Sequence, residues 1–118
     1  MTTPEKITID DVEYIRADSA TEITKGDYVI VRTYSAGVHA GYLESHQGTQ
    51  VVLRNTRRIY KWHGAASLSE LAGRGTSQPD KCKFPAAIDS ITLTEAIEII
   101  PCTAKAQALI EGVKPWTA

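Results

Sequence analysis

The stretch YVIVRTY, Tyr28–Tyr34, decides the fold. Its β-branched run Val29, Ile30 and Val31 favours a pleated, well-buried strand. Alternation puts Tyr28, Ile30, Arg32 and Tyr34 on one face and Val29, Val31 and Thr33 on the other, and the second set reads as core. Downstream, Ser35-Ala36-Gly37 breaks the strand, VHAGYLES forms a second one, and Gly48 turns the chain. QVVLR and RRIYKW then give two further strands separated by Asn55-Thr56, completing a meander. Upstream, ITIDDVEYIRADS turns at Asp10-Asp11 and reads as a short hairpin or ordered arm over Ile7 to Ala17. Residues 1–23 are thus an N-terminal arm, and 24–118 a single β-rich domain.

Two short helices follow the meander. Ser67-Leu68-Ser69-Glu70 fits a capping box, with Leu68 and Leu71 on the apolar side and Gly73 as the stop. GRGTSQPDK is a connector, and KFPAAIDSITLTEAIEIIPC resumes strand character until Pro101 forbids further ladder donation. Thr103 caps a last helix that ends before Gly112 and leaves KPWTA as a tail. The predicted class is α+β: a small SH3-like or Sm-like antiparallel barrel, or a strongly bent sheet, decorated by two short helices.

Length and composition fit one soluble globular domain, with 118 residues, 42% apolar and 23% charged. Thirteen Lys and Arg against fourteen Asp and Glu give a formal charge of -1, so duplex nucleic acid is not an expected partner and any anion site must be local. No stretch reaches the length and apolarity of a membrane span or a signal peptide, which points to the cytoplasm and away from membranes. Cys82 and Cys102 lack metal-ligand spacing and are expected to be free thiols; no metal or cofactor is predicted.

Catalytic equipment is thin, because His39, His46 and His63 sit on three separate segments and the aspartates lie beside turn signals. Binding chemistry is better supplied. Arg57, Arg58, Tyr60, Trp62 and His63 crowd into one segment, where arginine forks can grip phosphate oxygens and rings can stack on nucleobases. Strand alternation groups Arg58, Tyr60 and Trp62 on one face, with Arg57, Ile59 and Lys61 opposite. Arg32 and Arg54 are positioned to join from neighbouring strands. His39, bracketed by Gly37 and Gly41, can meet a ligand at the first strand turn, where the plain alternative is a bulge at Gly41. Arg74, between two glycines, is a further anion candidate.

The segments YVIVRTYSAGVHAGYLES, NTRRIYKWHGAASLSELAGRG and EAIEIIPCTAKAQ resemble a family of small phage and prophage proteins catalogued as a domain of unknown function, over Gly26 to Val113. An SH3-like β fold bearing arginine and aromatic clusters also resembles the phage anti-defence proteins that sequester nucleotide signals of the Thoeris system. The resemblance implies a phage-encoded, homo-oligomeric protein of the host cytoplasm that binds a small nucleotide-like ligand without cleaving it and so opposes a host defence component. The alternatives are a module binding a host protein or single-stranded nucleic acid with the same residues, or a hydrolase of the same signal.

Overall fold

The computed structural model describes residues 23–117; the hairpin expected over Ile7 to Ala17 lies outside them. Five strands, β1 (Tyr28–Thr33), β2 (Val38–Gln47), β3 (Gln50–Arg58), β4 (Ile88–Leu93) and β5 (Ala96–Pro101), form one antiparallel sheet in the order β4-β3-β2-β1-β5. The helices are α1 (Leu68–Arg74) and α2 (Ala104–Glu111).

β4 and β5 lie on opposite edges of the sheet, yet only Thr94 and Glu95 separate them in the chain. The edges therefore converge at this corner, which bends the sheet strongly. Backbone contacts hold the corner: the Ala96 amide donates to the Thr49 carbonyl at 2.9 Å, and the Tyr34 amide to the Glu95 carbonyl at 3.0 Å. Among the described residues no β4–β5 ladder forms, so the sheet is bent but not closed into a barrel.

Both faces of β1 are core, which corrects the expectation that only Val29, Val31 and Thr33 face inward. Val29 and Val31 pack with Leu43, Val51, Leu53, Leu93 and Ala96 on one face. Tyr28 and Ile30 pack with Ala40, Ile59 and Phe84 beneath Leu71 of α1 and Ile110 of α2 on the other. A strand with neighbours on both edges and cover on both faces is buried along most of its length, here all but Arg32, so period-2 polarity fades at this point of the sequence.

QVVLR and the first residues of RRIYKW are one strand rather than two. Asn55 adopts a left-handed conformation (φ 46°), and the stretch Arg54–Arg57 of β3 spans only Tyr42–Ala40 of β2. The extra residue is a β-bulge. It reverses the alternation: Val51 and Leu53 face the inside of the bend, whereas Arg57 and Ile59 beyond the bulge face the helices. Gly41 of β2 sits opposite this bulge, where a Cβ would lie 2.6 Å from Thr56 Cβ, so the packing there excludes any side chain.

The helix ends follow the capping chemistry closely. Ser67 Oγ accepts the Glu70 amide at 3.2 Å, while Glu70 Oε1 accepts the Ala66 amide, one residue before the cap. α1 runs past Gly73 and is closed by Gly75, whose φ of 77° suits glycine. Thr103 Oγ1 accepts the Ala106 amide at 3.1 Å to start α2, and Gly112 closes it.

Candidate functional site

The bulge and the turn before β2 bring His39 and Arg58 together, since the two are cross-strand partners of β2 and β3. Gly37, at φ 86°, turns the Ala36 carbonyl toward both side chains. The His39 ring donates from Nε2 to that carbonyl at 2.9 Å, and Arg58 Nη1 donates to it at 2.6 Å. His39 is buried, and desolvation, with a smaller push from the Arg58 charge, holds its pKa below the ordinary histidine value against the stabilising Ala36 bond. The ring is therefore neutral near pH 7, with its proton on Nε2. Arg58 is exposed and spends one terminal nitrogen on Ala36, which leaves part of the fork directed at solvent.

His39 and Arg58 line one end of a cleft of about 240 Å³, whose walls are Thr56, Pro85, Ala86, Ile88 and Ile91. A cationic fork beside an apolar trough suits a flat ring carrying an anion.

Arg57 borders this cleft but does not serve it. Its guanidinium is turned into the protein: Nη2 donates to Phe84 O at 2.7 Å, Nε to Pro85 O at 3.0 Å, and Nη1 to Ile110 O at 3.0 Å and Val113 O at 2.9 Å. It also lies 5.5 Å from the Phe84 ring centroid. Burial lowers its pKa, yet an arginine stays charged, and the last carbonyls of α2 offer the negative end of a helix dipole. With its donors spent on main-chain oxygens, Arg57 is a clasp between β3, the segment 84–85 and the end of α2. It has no fork to present to a ligand phosphate.

The grouping of Arg58, Tyr60 and Trp62 on one face also changes, because β3 ends at Arg58 and regular alternation ends with it. Trp62 packs against the helix-side core with Ile59, and its Nε1 donates to Ala65 O at 3.2 Å. Tyr60 is 62% exposed and stacks on Trp116, with ring centroids 5.3 Å apart and planes 5° from parallel. His63 is exposed, and its amide donates to Cys82 Sγ at 3.5 Å. Arg32 pairs with Glu98 across β1 and β5 at 2.9 Å, Arg54 stands exposed between Tyr42 and Ser90, and Arg74 pairs with Glu70 along α1. Of the nine candidates, then, only Arg58 lines the cleft with donor capacity to spare; His39 lines it with its one ring proton given to Ala36 O, and Tyr60 stands at a separate surface.

Sequence reasoning missed two neighbours of Tyr60: Trp116, on which it stacks, and Lys83, whose Nζ lies 5.3 Å from the Trp116 ring centroid. The signal for Trp116 was present, since a tryptophan in the short tail KPWTA has no reason to stay in solvent. Among the described residues, no group of three His, Cys, Asp or Glu side chains is arranged to hold a metal ion. No helix there is long and apolar enough to cross a membrane.

These features define an α+β domain built on a bent five-stranded antiparallel sheet, with a cation-bearing cleft beside its β3 bulge. Residues 26–110 match the family described as "Domain of unknown function (DUF6948)", and the chain belongs to that family. No curated protein matches the chain.

Proposed function

We propose that this protein captures a small nucleotide-derived signalling molecule without turning it over, acting as a phage-encoded sponge in the host cytoplasm that opposes a defence pathway. The observation that carries the reading is the convergence of Arg58 and His39 on a trough of Pro85, Ile88 and Ile91. Arg58 supplies a fork for phosphate oxygens, and the apolar walls accept a base or sugar ring. The His39 bond to Ala36 fixes the turn that also anchors Arg58, so the cation is held in place before ligand arrives. A single subunit offers an open cleft, and a homo-oligomer, with an SH3-like sheet completed or covered by its neighbour, would enclose the ligand more fully. Sequestration requires affinity and abundance but no reaction.

Native mass spectrometry after exposure to a nucleotide-rich extract from cells with activated defence is the direct test. The expected result is an oligomer carrying a ligand whose mass is unchanged after release by denaturation. Arg58→Ala should weaken binding by about 1.5 to 3 kcal/mol, roughly ten- to a hundredfold, with the melting temperature unchanged. Lysine should rescue only part of this loss if the contact is bidentate. Parental affinity in Arg58→Ala would refute the cleft as the site, and recovery of a cleaved ligand would make the protein a hydrolase.

A further inference from the structure

Beyond the cleft, the most unusual surface is the parallel stack of Tyr60 on Trp116. Tyrosine 62% exposed and held flat on an indole keeps an aromatic face open to water, where scattered single rings are common but paired ones are not. Both rings are anchored by the same extended segment. The Tyr60 amide donates to the Lys83 carbonyl at 3.1 Å, and the Trp116 amide to the Phe84 carbonyl at 3.1 Å. The rings therefore have fixed backbones, and little order is lost when a third ring adds to the stack.

A cation lies against the stack. Lys83 Nζ lies 5.3 Å from the Trp116 ring centroid. Lys61 and Lys83 face each other as partners of an isolated antiparallel bridge, closed by the Lys83 amide donating to Lys61 O at 2.7 Å. Directly opposed like charges disfavour a bridge, and an anion between them removes that cost. The segment from Arg54 to Ser69 contains no acidic residue to do so.

We propose that Tyr60 and Trp116 form a stacking platform for a nucleobase whose phosphate is held by Lys83 and Lys61. These observations are separate from those that define the cleft. A base stacks on Tyr60 because every nucleobase offers a flat π face, and the lysines act as point charges on the adjoining phosphate. The ligand is either a free nucleotide or one unit of a single strand, which have this chemistry in common.

Titration calorimetry with uridine monophosphate and with a twelve-nucleotide oligothymidylate tests the platform, using the parent, Tyr60→Ala, Tyr60→Phe and Arg58→Ala. Tyr60→Ala is expected to lose at least tenfold in affinity, and Tyr60→Phe to stay within about threefold of the parent. Quenching of Trp116 fluorescence by the same ligands should be lost in parallel. Binding of the mononucleotide as tight as the oligomer identifies a free nucleotide. Tighter binding of the oligomer that weakens steeply with salt identifies a single strand. No binding of either probe, or parental affinity in Tyr60→Ala, overturns the proposal. A loss in Arg58→Ala that leaves Tyr60→Ala at parental affinity assigns the ligand to the cleft and likewise overturns it.

Discussion

Arg57 Nη1 donates to the carbonyl of Ile110 at 3.0 Å, joining β3 to the last turn of α2 across fifty-three positions of the chain. The same guanidinium reaches Phe84, Pro85 and Val113, so one side chain fastens three segments at once. Arg57→Ala would take the guanidinium donor from all four oxygens, three of them in buried bonds. It is expected to destabilise the fold by about 3 kcal/mol or more, on the scale of two charge-assisted hydrogen bonds. Arg57→Lys should recover only a minority of the loss, because an ammonium cannot reach four carbonyls spread around a planar fork. Urea denaturation reads both as a lowered midpoint at constant slope. A parental midpoint for Arg57→Ala would refute the clasp.

Gly41 and Thr56 make the second structural requirement. A Cβ at position 41 would lie 2.6 Å from Thr56 Cβ and 2.9 Å from Thr56 Cα, so backbone as well as side chain stands in its way. Gly41→Ala should cost about 1 to 3 kcal/mol, as overpacking does in other cores. Trimming the neighbour should not restore stability, since Thr56→Ser retains Cβ and Cα. A double variant as stable as the parent would mean that the strands part easily at the bulge.

Much of this architecture was legible in local sequence, and the site was much less so. The β-branched run at Val29–Val31, the caps Ser67 and Thr103 and the stop Gly112 act within a few residues, and each does in the structure what its chemistry implies. The bulge at Asn55 was hidden because an asparagine in left-handed conformation has the same sequence signature in a turn as inside a strand. That one residue turns Arg57 and Ile59 to the face opposite Val51 and Leu53, and the end of β3 at Arg58 then frees Trp62 from the face it was read to share with Arg58. The acceptors of Arg57 lie twenty-seven or more positions away, and no periodicity announces such contacts. His39 and Arg58 drew attention separately, but only the β2–β3 register joins them.

The cysteines make a chemical prediction. Cys82 is buried, Cys102 is half-buried, and both are free thiols. Desolvation pushes the Cys102 thiol up to about 12, so at pH 8 almost none of it is the reactive thiolate. Iodoacetamide should alkylate the native protein at least about a hundredfold more slowly than the urea-unfolded chain, whose thiols titrate near 8.5. Added reductant should leave the melting temperature unchanged. Rapid native labelling at both positions, followed by peptide mapping, would show that the core around them opens readily.

His39 makes stability depend on pH in a predictable direction. Its folded pKa lies below the ordinary value of about 6.5, chiefly because burial disfavours the imidazolium, with the nearby Arg58 charge adding to that. Between the depressed folded value and 6.5 the unfolded chain binds more protons at this position than the folded one. Stability therefore rises with pH through that window, and the contribution is fully present above it. Acidifying from pH 7.5 to 5.5 should lower the melting temperature of the parent more than that of His39→Gln, where no proton can bind at position 39. The glutamine variant is expected to melt lower overall, since it need not reproduce the bond to Ala36 O, so the informative quantity is the slope with pH. Carboxylates that titrate at lower pH affect both proteins alike and cancel in the difference. Equal slopes for the two proteins would mean that His39 takes up its proton as readily in the fold as in the unfolded chain, and that the turn holding Arg58 opens to water.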